Sequence, residues 1–128
     1  RVDIEYMLDS NKIKGRVVND SSGVGTITYT VSNITDYLKI ALKYKTDDFA
    51  LWINGTEVGT DTSGSTSFDD PLSTLEFANG SGSLLYYGKV KCVAVFDEEL
   101  EDDELELLTG TSYASFELLA AAGSYTVI

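Results

Sequence analysis

Residues 39–58 are KIALKYKTDDFALWINGTEV, and the fold class follows from this stretch. On both sides of its central turn, large apolar residues alternate with small or charged ones, the two-residue period of a half-buried β-strand. Residues 46–48 are polar and form the turn. Asn54-Gly55, after the second apolar run, is the strongest short signal for a tight hairpin. The stretch therefore predicts strands over 40–45 and 49–53, followed by a hairpin.

The same period extends in both directions from this stretch. Alternating residues predict upstream strands over 2–8, 12–17 and 26–31, the first two joined by a turn at 9–11. Downstream, strands are predicted at 75–77 and over 86–96. The predicted bulge near Lys91-Cys92 keeps the valines of this last strand on one face. Many short strands without alternating helices are typical of an antiparallel sandwich or barrel.

The period changes after residue 97. Leucines at 100, 105 and 108 within an acidic run predict a short amphipathic helix over 101–109 that packs on the strands and ends at Gly110. A second helix is predicted over 112–122 and a final extended segment over 125–128. The sequence thus predicts an all-β sandwich with short C-terminal helices.

Three of these stretches, in this order, resemble a known superfamily. Residues 39–58 resemble the central hairpin of concanavalin A-like, laminin-G-like domains, residues 87–96 resemble a later strand, and residues 97–105 resemble the closing helix. The resemblance covers about 37–109 and implies an antiparallel two-sheet jelly-roll sandwich over 1–109. Residues 110–128 would then form a helix and terminal strand packed on or beside it.

The resemblance also implies that the first strand or strands of a complete sandwich are missing upstream of Val2. A missing strand would leave a sheet edge open, to be covered by another chain or by residues outside this sequence. The first residue is Arg1 and not Met, which suggests a part of a longer or processed protein. The amino-acid sequence of residues 39–64 and of the C terminus is similar to that of the receptor-binding modules at the C termini of bacteriophage tail fibres.

Composition excludes several classes of function. The chain has no histidine and one cysteine, which rules out Ser-His-Asp and Cys-His catalysis, the usual zinc sites and an intrachain disulfide. Eight of the 21 acids lie between Asp97 and Glu106, and without them acids and bases are nearly balanced, so no basic footprint for nucleic acid is present. No apolar run approaches the ~18 residues that span a bilayer. No strand offers a glucanase-type carboxylate pair, since Asp3 and Glu5 have no supporting residues around them. We therefore expect no enzyme activity.

Five residues are predicted to bind a ligand: Trp52, Lys14, Arg16, Lys43 and Tyr87. Alternation directs Trp52 and the three bases away from the core. In the resembled fold their strands share one concave sheet, where an indole could stack on a sugar ring and bases could hold its acidic groups. Alternatively, a loop or a neighbouring subunit covers Trp52 and the lysines only solvate the sheet.

The resemblance implies recognition of a cell-surface glycan by a virion surface or other extracellular adhesive protein, without catalysis. The alternative is a structural fibre, capsid-decorating or trimerisation module with no sugar ligand. Other subunits of a larger virion or fibre protein are expected partners, in a homo-oligomer, with no nucleic acid and no membrane insertion. No cofactor is required, although Asp61, Asp69 and Asp70 are weak candidates for calcium ligands.

Overall fold

A computed structural model describes residues 1–19, 22–66, 72–78, 85–96 and 98–110. In these residues the protein is all-β apart from short helices, as predicted: two antiparallel three-stranded sheets and one α-helix, α1 (Asp102–Thr109). Sheet 1 has the order β1 (Val2–Met7), β2 (Lys12–Asn19), β3 (Ser22–Thr30). Sheet 2 has the order β4 (Ile40–Lys45), β5 (Asp48–Ile53), β6 (Thr56–Asp61). No helix in the described ranges is long and apolar enough to cross a membrane.

Tight turns set the register of each sheet. A 3₁₀ turn (Leu8–Ser10) ends at Asn11, whose φ of 50° is left-handed, and β2 then pairs with β1 so that Tyr6 faces Ile13. Asn54 and Gly55 both have positive φ, 51° and 82°, as a two-residue hairpin requires, and they join β5 to β6. The predicted hairpin is confirmed.

The two sheets face each other across one apolar core. Every second residue of the central strands β2 and β5 points into it, and the loop after β3 adds two more side chains. Its buried members are Ile13, Val17, Ile27, Val31, Ile34, Phe49, Leu51 and Ile53. Because successive side chains of a strand point to opposite faces, each sheet also has an outer face, turned away from this core.

Glycine allows the sheets to approach closely at Gly15. A Cβ placed there would lie 2.8 Å from Leu42 Cδ1 and 3.4 Å from Leu51 Cδ1 of the opposite sheet. The Gly15 position alternates with Lys14 and Arg16 on β2, so those bases lie on the outer face of sheet 1. At one side of the sandwich, β3 lies against β6, where the Thr26 amide donates to Asp61 Oδ2.

Two of the predicted strands are absent. Residues 72–77 and 86–96 form no ladder, and the nearest pairing is an isolated bridge between Ala78 and Leu85. The predicted bulge at Lys91-Cys92 is wrong for the same reason, because no described residue pairs with these two. Bulges occur instead beside Val17 and beside Trp52. Alternating valines favour a strand, but a strand forms only where a partner backbone satisfies its polar groups.

Helix α1 matches the predicted 101–109 closely. Glu101 is its N-cap, with extended backbone, and its amide donates to Glu104 Oε2 at 2.9 Å, one half of a capping box. Leu105 is buried, and Leu100 is half-buried beside it, so the helix packs on the sheets as predicted. The helix predicted over 112–122 and the segment 125–128 lie outside the described residues.

Candidate functional site

Trp52 lies on the outer face of sheet 2, as its alternation with Leu51 and Ile53 predicts, but it is buried. Only 7% of its surface is exposed, and it packs against Ala50 and Leu105. Its indole Nε1 is buried too and has no hydrogen-bond partner among the described residues. The expectation that Trp52 faces solvent as a sugar platform is therefore wrong. Its alternative, a covered Trp52, is the better description, although the cover is the chain's own helix α1 and not a loop.

Helix α1 is attached to sheet 2 at its C-terminal end. Thr109 Oγ1 donates to the Leu105 carbonyl at 2.8 Å and accepts the Gly55 amide at 3.0 Å. Lys39 Nζ donates to the carbonyl of Gly110, just beyond the helix. These polar contacts hold the helix in the orientation that brings Leu105 onto the indole of Trp52.

Lys43 attaches the other end of the helix. Its Nζ lies 3.3 Å from Asp102 Oδ1, 3.2 Å from Asp48 Oδ2 and 3.8 Å from Glu99 Oε1. Desolvation by burial lowers the pKa of Lys43, but hydrogen bonds and charge interactions with Asp48 and Asp102 outweigh it, so the net pKa is raised. Lys45 adds an ion pair to Glu99 at 2.6 Å. Lys43 therefore binds an acidic segment of its own chain.

The outer face of sheet 1 carries a different set of charges. Lys14 and Arg16 on β2 lie beside Glu5 and Asp3 on β1, in register. Arg16 Nη2 donates to Asp3 Oδ2 at 3.0 Å and also to Glu5, while Lys14 pairs with Glu5. These side chains are 13–30% exposed, so the ion pairs lie flat on the sheet and order the bases.

Hydroxyl groups extend this face onto the next strand. Lys12, Lys14 and Arg16 are directly opposite three threonines of β3: Thr30, Thr28 and Thr26. All three threonines are exposed. Lys12 forms no ion pair among the described residues. The result is an ordered polar face with donors, acceptors and an excess of positive charge, on a chain whose net charge is −12.

The five predicted ligand-binding residues are not brought together. Lys14 and Arg16 lie on the outer face of sheet 1, whereas Trp52 and Lys43 lie on the outer face of sheet 2, across the core. The prediction that they share one sheet is wrong because residues 31–39 carry the chain from one sheet to the other. The periodicity of each strand shows which residues share its own face, but not which strands pair.

Tyr87, the fifth predicted residue, is 92% exposed and belongs to neither face. Its neighbour Tyr86 packs on Tyr6, with ring centroids 5.4 Å apart, and lies 6.5 Å from Phe77. Burial, followed by the Tyr86 hydroxyl, raises the pKa of Tyr6. Tyr6, Phe77 and Tyr86 thus form an aromatic cluster at the end of β1. The alternation of residues 86–96 did not indicate the contact between Tyr86 and Tyr6.

The contacts of Asp61 give little support to the prediction that it binds calcium. Its Oδ1 accepts the amide and hydroxyl of Ser63 at 3.0 and 2.8 Å, and its Oδ2 accepts the Thr26 amide. These bonds lower the pKa of Asp61. Asp69 and Asp70 lie outside the described residues, and within the described ones no group of three acidic, histidine or cysteine side chains could hold a metal.

Comparison with known proteins adds little. No family model matches the chain, and no curated protein matches it significantly. Among solved structures, an S-layer domain-containing protein from Clostridium thermocellum matches with 22% identity and a TM-score of 0.45, over 77% of this chain. The chain spans about half the length of that protein, 52%. A likeness this distant carries no argument about this chain.

Proposed function

We propose that this chain is a non-catalytic recognition module that binds an acidic glycan on the outer face of sheet 1. The observation that carries the proposal is the register of Lys12, Lys14 and Arg16 with three exposed threonine hydroxyls. The motifs in 37–109 support the finer fold, a jelly-roll sandwich of the concanavalin A-like kind. Their resemblance to phage tail fibres supports a place on a virion surface or another extracellular adhesive protein.

The chemistry of this face suits a polyanionic sugar. A guanidinium can hold a carboxylate or sulfate with two parallel hydrogen bonds, and an ammonium adds an orientable point charge. Threonine hydroxyls both donate to and accept from sugar hydroxyls. Asp3 and Glu5 hold Arg16 in a fixed conformation, so less side-chain entropy is lost when a ligand binds. The face has no aromatic platform, so each contact is weak and several copies would have to act together on one cell.

The structural alternative gains from a separate observation. Trp52, the predicted sugar platform, holds a helix in place, and large apolar residues such as Ile4 and Val95 remain exposed. Exposed apolar groups that cluster mark protein contacts more often than sugar contacts. A module that assembles through these residues needs no sugar ligand, although assembly and sugar binding are compatible because they use different faces.

Charge reversal distinguishes the two functions. Lys12→Glu changes the base of the face that makes no described ion pair, so we expect folding to be unaffected. Binding to polygalacturonic acid and dextran sulfate, measured by biolayer interferometry, should weaken roughly 3–10-fold, and more at low salt. Lys45→Glu is the matched control, since Lys45 is exposed and lies on sheet 2, across the core from this face. Neutral dextran should show no binding.

Two results would contradict the glycan proposal. One is equal weakening by Lys12→Glu and Lys45→Glu, which would mean that binding follows net charge alone. The other is no binding to any acidic polysaccharide by a multivalent display of the parent chain on a bead. The second result would leave the structural function as the better account.

A further inference from the structure

One long side of the sandwich is open. On the opposite side β3 lies against β6, but β1 pairs only with β2 among the described strands. The consequence is visible in the side chains that point inward. Ile13 on β2 is fully buried, whereas Ile4 and Tyr6, beside it on β1, are 42% and 39% exposed. An inward-facing apolar row is therefore left uncovered at the edge.

The backbone of β1 is available at this edge. Arg1 and Val18 exchange both hydrogen bonds, at 2.7 and 2.8 Å, which marks a hydrogen-bonded pair. Such pairs alternate along an antiparallel ladder, so Asp3 and Glu5 also bond to β2. The amides and carbonyls of the residues between them, Val2, Ile4 and Tyr6, point away from β2. An added strand would bond to the residues whose side chains form the uncovered apolar row.

A segment of suitable chemistry lies elsewhere on the chain. Residues 89–95 pair with no strand in the described part of the chain, and every one of them is exposed, including three β-branched residues: Val90, Val93 and Val95. Lysines at 89 and 91 alternate with Val90 and Cys92. If Val90 and Cys92 cover the apolar row, both lysines lie on the side of Asp3 and Glu5. Opposite charges on neighbouring strands stabilise such a pair.

The segment does not run along β1 of its own chain. Tyr86 packs on Tyr6, but the ammonium of Lys91 lies 4.3 Å from the ring centroid of Tyr37, in the loop that joins the two sheets. The segment therefore crosses the end of the sandwich and turns its valines outward. Pairing of β1 with β1 of another copy is disfavoured as well, since centring it on Ile4 sets Asp3 opposite Glu5, two like charges.

We propose that residues 89–95 of one copy add to the open edge of β1 in a second copy, and the reverse. Each chain offers one donor segment and one acceptor edge, so the exchange closes as a two-fold dimer. The added strand satisfies the edge backbone and covers the apolar row, the mode of recognition known as β-augmentation. This inference does not depend on sugar binding, because the open backbone of β1 and the apolar row carry it, and the apolar row lies on the face opposite the basic one.

The single cysteine provides the test. Ile4→Cys introduces a thiol on the apolar row, where a disulfide to Cys92 of a second copy is within reach of a paired strand. After mild oxidation we expect a dimer on a non-reducing gel that contains the 4–92 linked peptide by mass spectrometry. Glu5→Cys is the control, one residue away on the opposite face, and should not form the 5–92 peptide. Val2→Cys and Tyr6→Cys cover neighbouring registers.

A second measurement removes the dependence on oxidation. Val90→Asp changes a residue of the segment that would face the apolar row and is already 47% exposed, so the fold should persist, as tryptophan emission would confirm. Light scattering should show the dimer dissociation constant rise at least about tenfold. Leu72→Asp, at an exposed apolar residue outside the segment, should leave it unchanged. A linked peptide in the monomer band would mean that the segment pairs within its own chain. If the parent chain is monomeric and no linked peptide forms in any register, then something other than a second copy pairs with the edge of β1. Either result overturns the proposal.

Discussion

Leu105→Ala tests how much the burial of a single side chain, Leu105, contributes to holding helix α1 on sheet 2. Leu105 is 4% exposed and contacts Trp52 and Ala50. The substitution removes three carbon atoms, worth about 2.4 kcal/mol at roughly 0.8 kcal/mol per buried group. A cavity beside an indole that cannot shift adds to this, so we expect a loss of about 3 kcal/mol, within the range of about 2–5 for buried Leu→Ala. Leu105→Asp should cost more, because it also buries an unpaired charge.

The sole tryptophan makes the assay direct. Urea unfolding followed by tryptophan emission reports both the free energy of unfolding and the environment of Trp52. We expect the midpoint to fall and the emission of the folded variant to move to longer wavelength, as water reaches the indole. Glu106→Ala, an exposed position on the same helix, should leave both unchanged. If Leu105→Ala unfolds at the parental midpoint with parental emission, the helix does not cover Trp52 and the burial argument fails.

Three further substitutions test the core, the indole and an acidic site. Gly15→Val should cost about 1–3 kcal/mol in urea unfolding, because its side chain would overlap Leu42 across the core; parental stability would show that the sheets are not face to face. Trp52→Phe should cost clearly less than the roughly 3–5 kcal/mol of Trp52→Ala, because phenylalanine keeps an apolar ring against Leu105 and the lost indole N–H has no partner among the described residues. Asp61→Asn should be less stable than the parent chain at pH 5, and this difference in the free energy of unfolding should shrink as pH falls to 2. The lowered pKa means that the carboxylate stabilises the fold above its unfolded pKa, and this is lost as pH falls through the folded pKa; a pH-independent deficit in thermal melts would contradict it.

Periodicity predicted most of the first half of the fold. The strands over 2–7, 12–19, 40–45 and 48–53 follow stretches in which every second residue is apolar or glycine, and the turn at Asn54 needs a positive φ that asparagine tolerates. The face of Trp52 was correct for the same reason. What alternation cannot show is whether a face is covered, since burial depends on another part of the chain. Helix α1, about fifty residues away, decides the environment of Trp52.

The strand predicted over 86–96 also shows that alternation in the local sequence does not determine which parts of the chain pair. Its lysines and apolar residues alternate over 89–92 much as those of β2 do over 12–15, yet β2 has a neighbour on each side, whereas residues 86–96 form no ladder with any described strand. An unpaired strand gains no ladder hydrogen bonds to offset its lost chain entropy. Local sequence therefore predicted the capacity to form a strand. The open edge of β1 is where, in our proposal, that capacity is used.

The alternation of β1 also separates the two proposals. Asp3 and Glu5 hold the bases of the glycan face, while Ile4 and Tyr6, the residues between and after them, form the apolar row. Because neighbours on a strand point to opposite faces, one substitution reaches only one of these surfaces. Lys12→Glu, on the same outer face but on β2 and away from the edge, should weaken sugar binding without changing the dimer. Ile4→Ser should weaken the dimer and leave the affinity of a single chain for sugar intact. If both substitutions affected both properties equally, sheet 1 would not carry two independent surfaces.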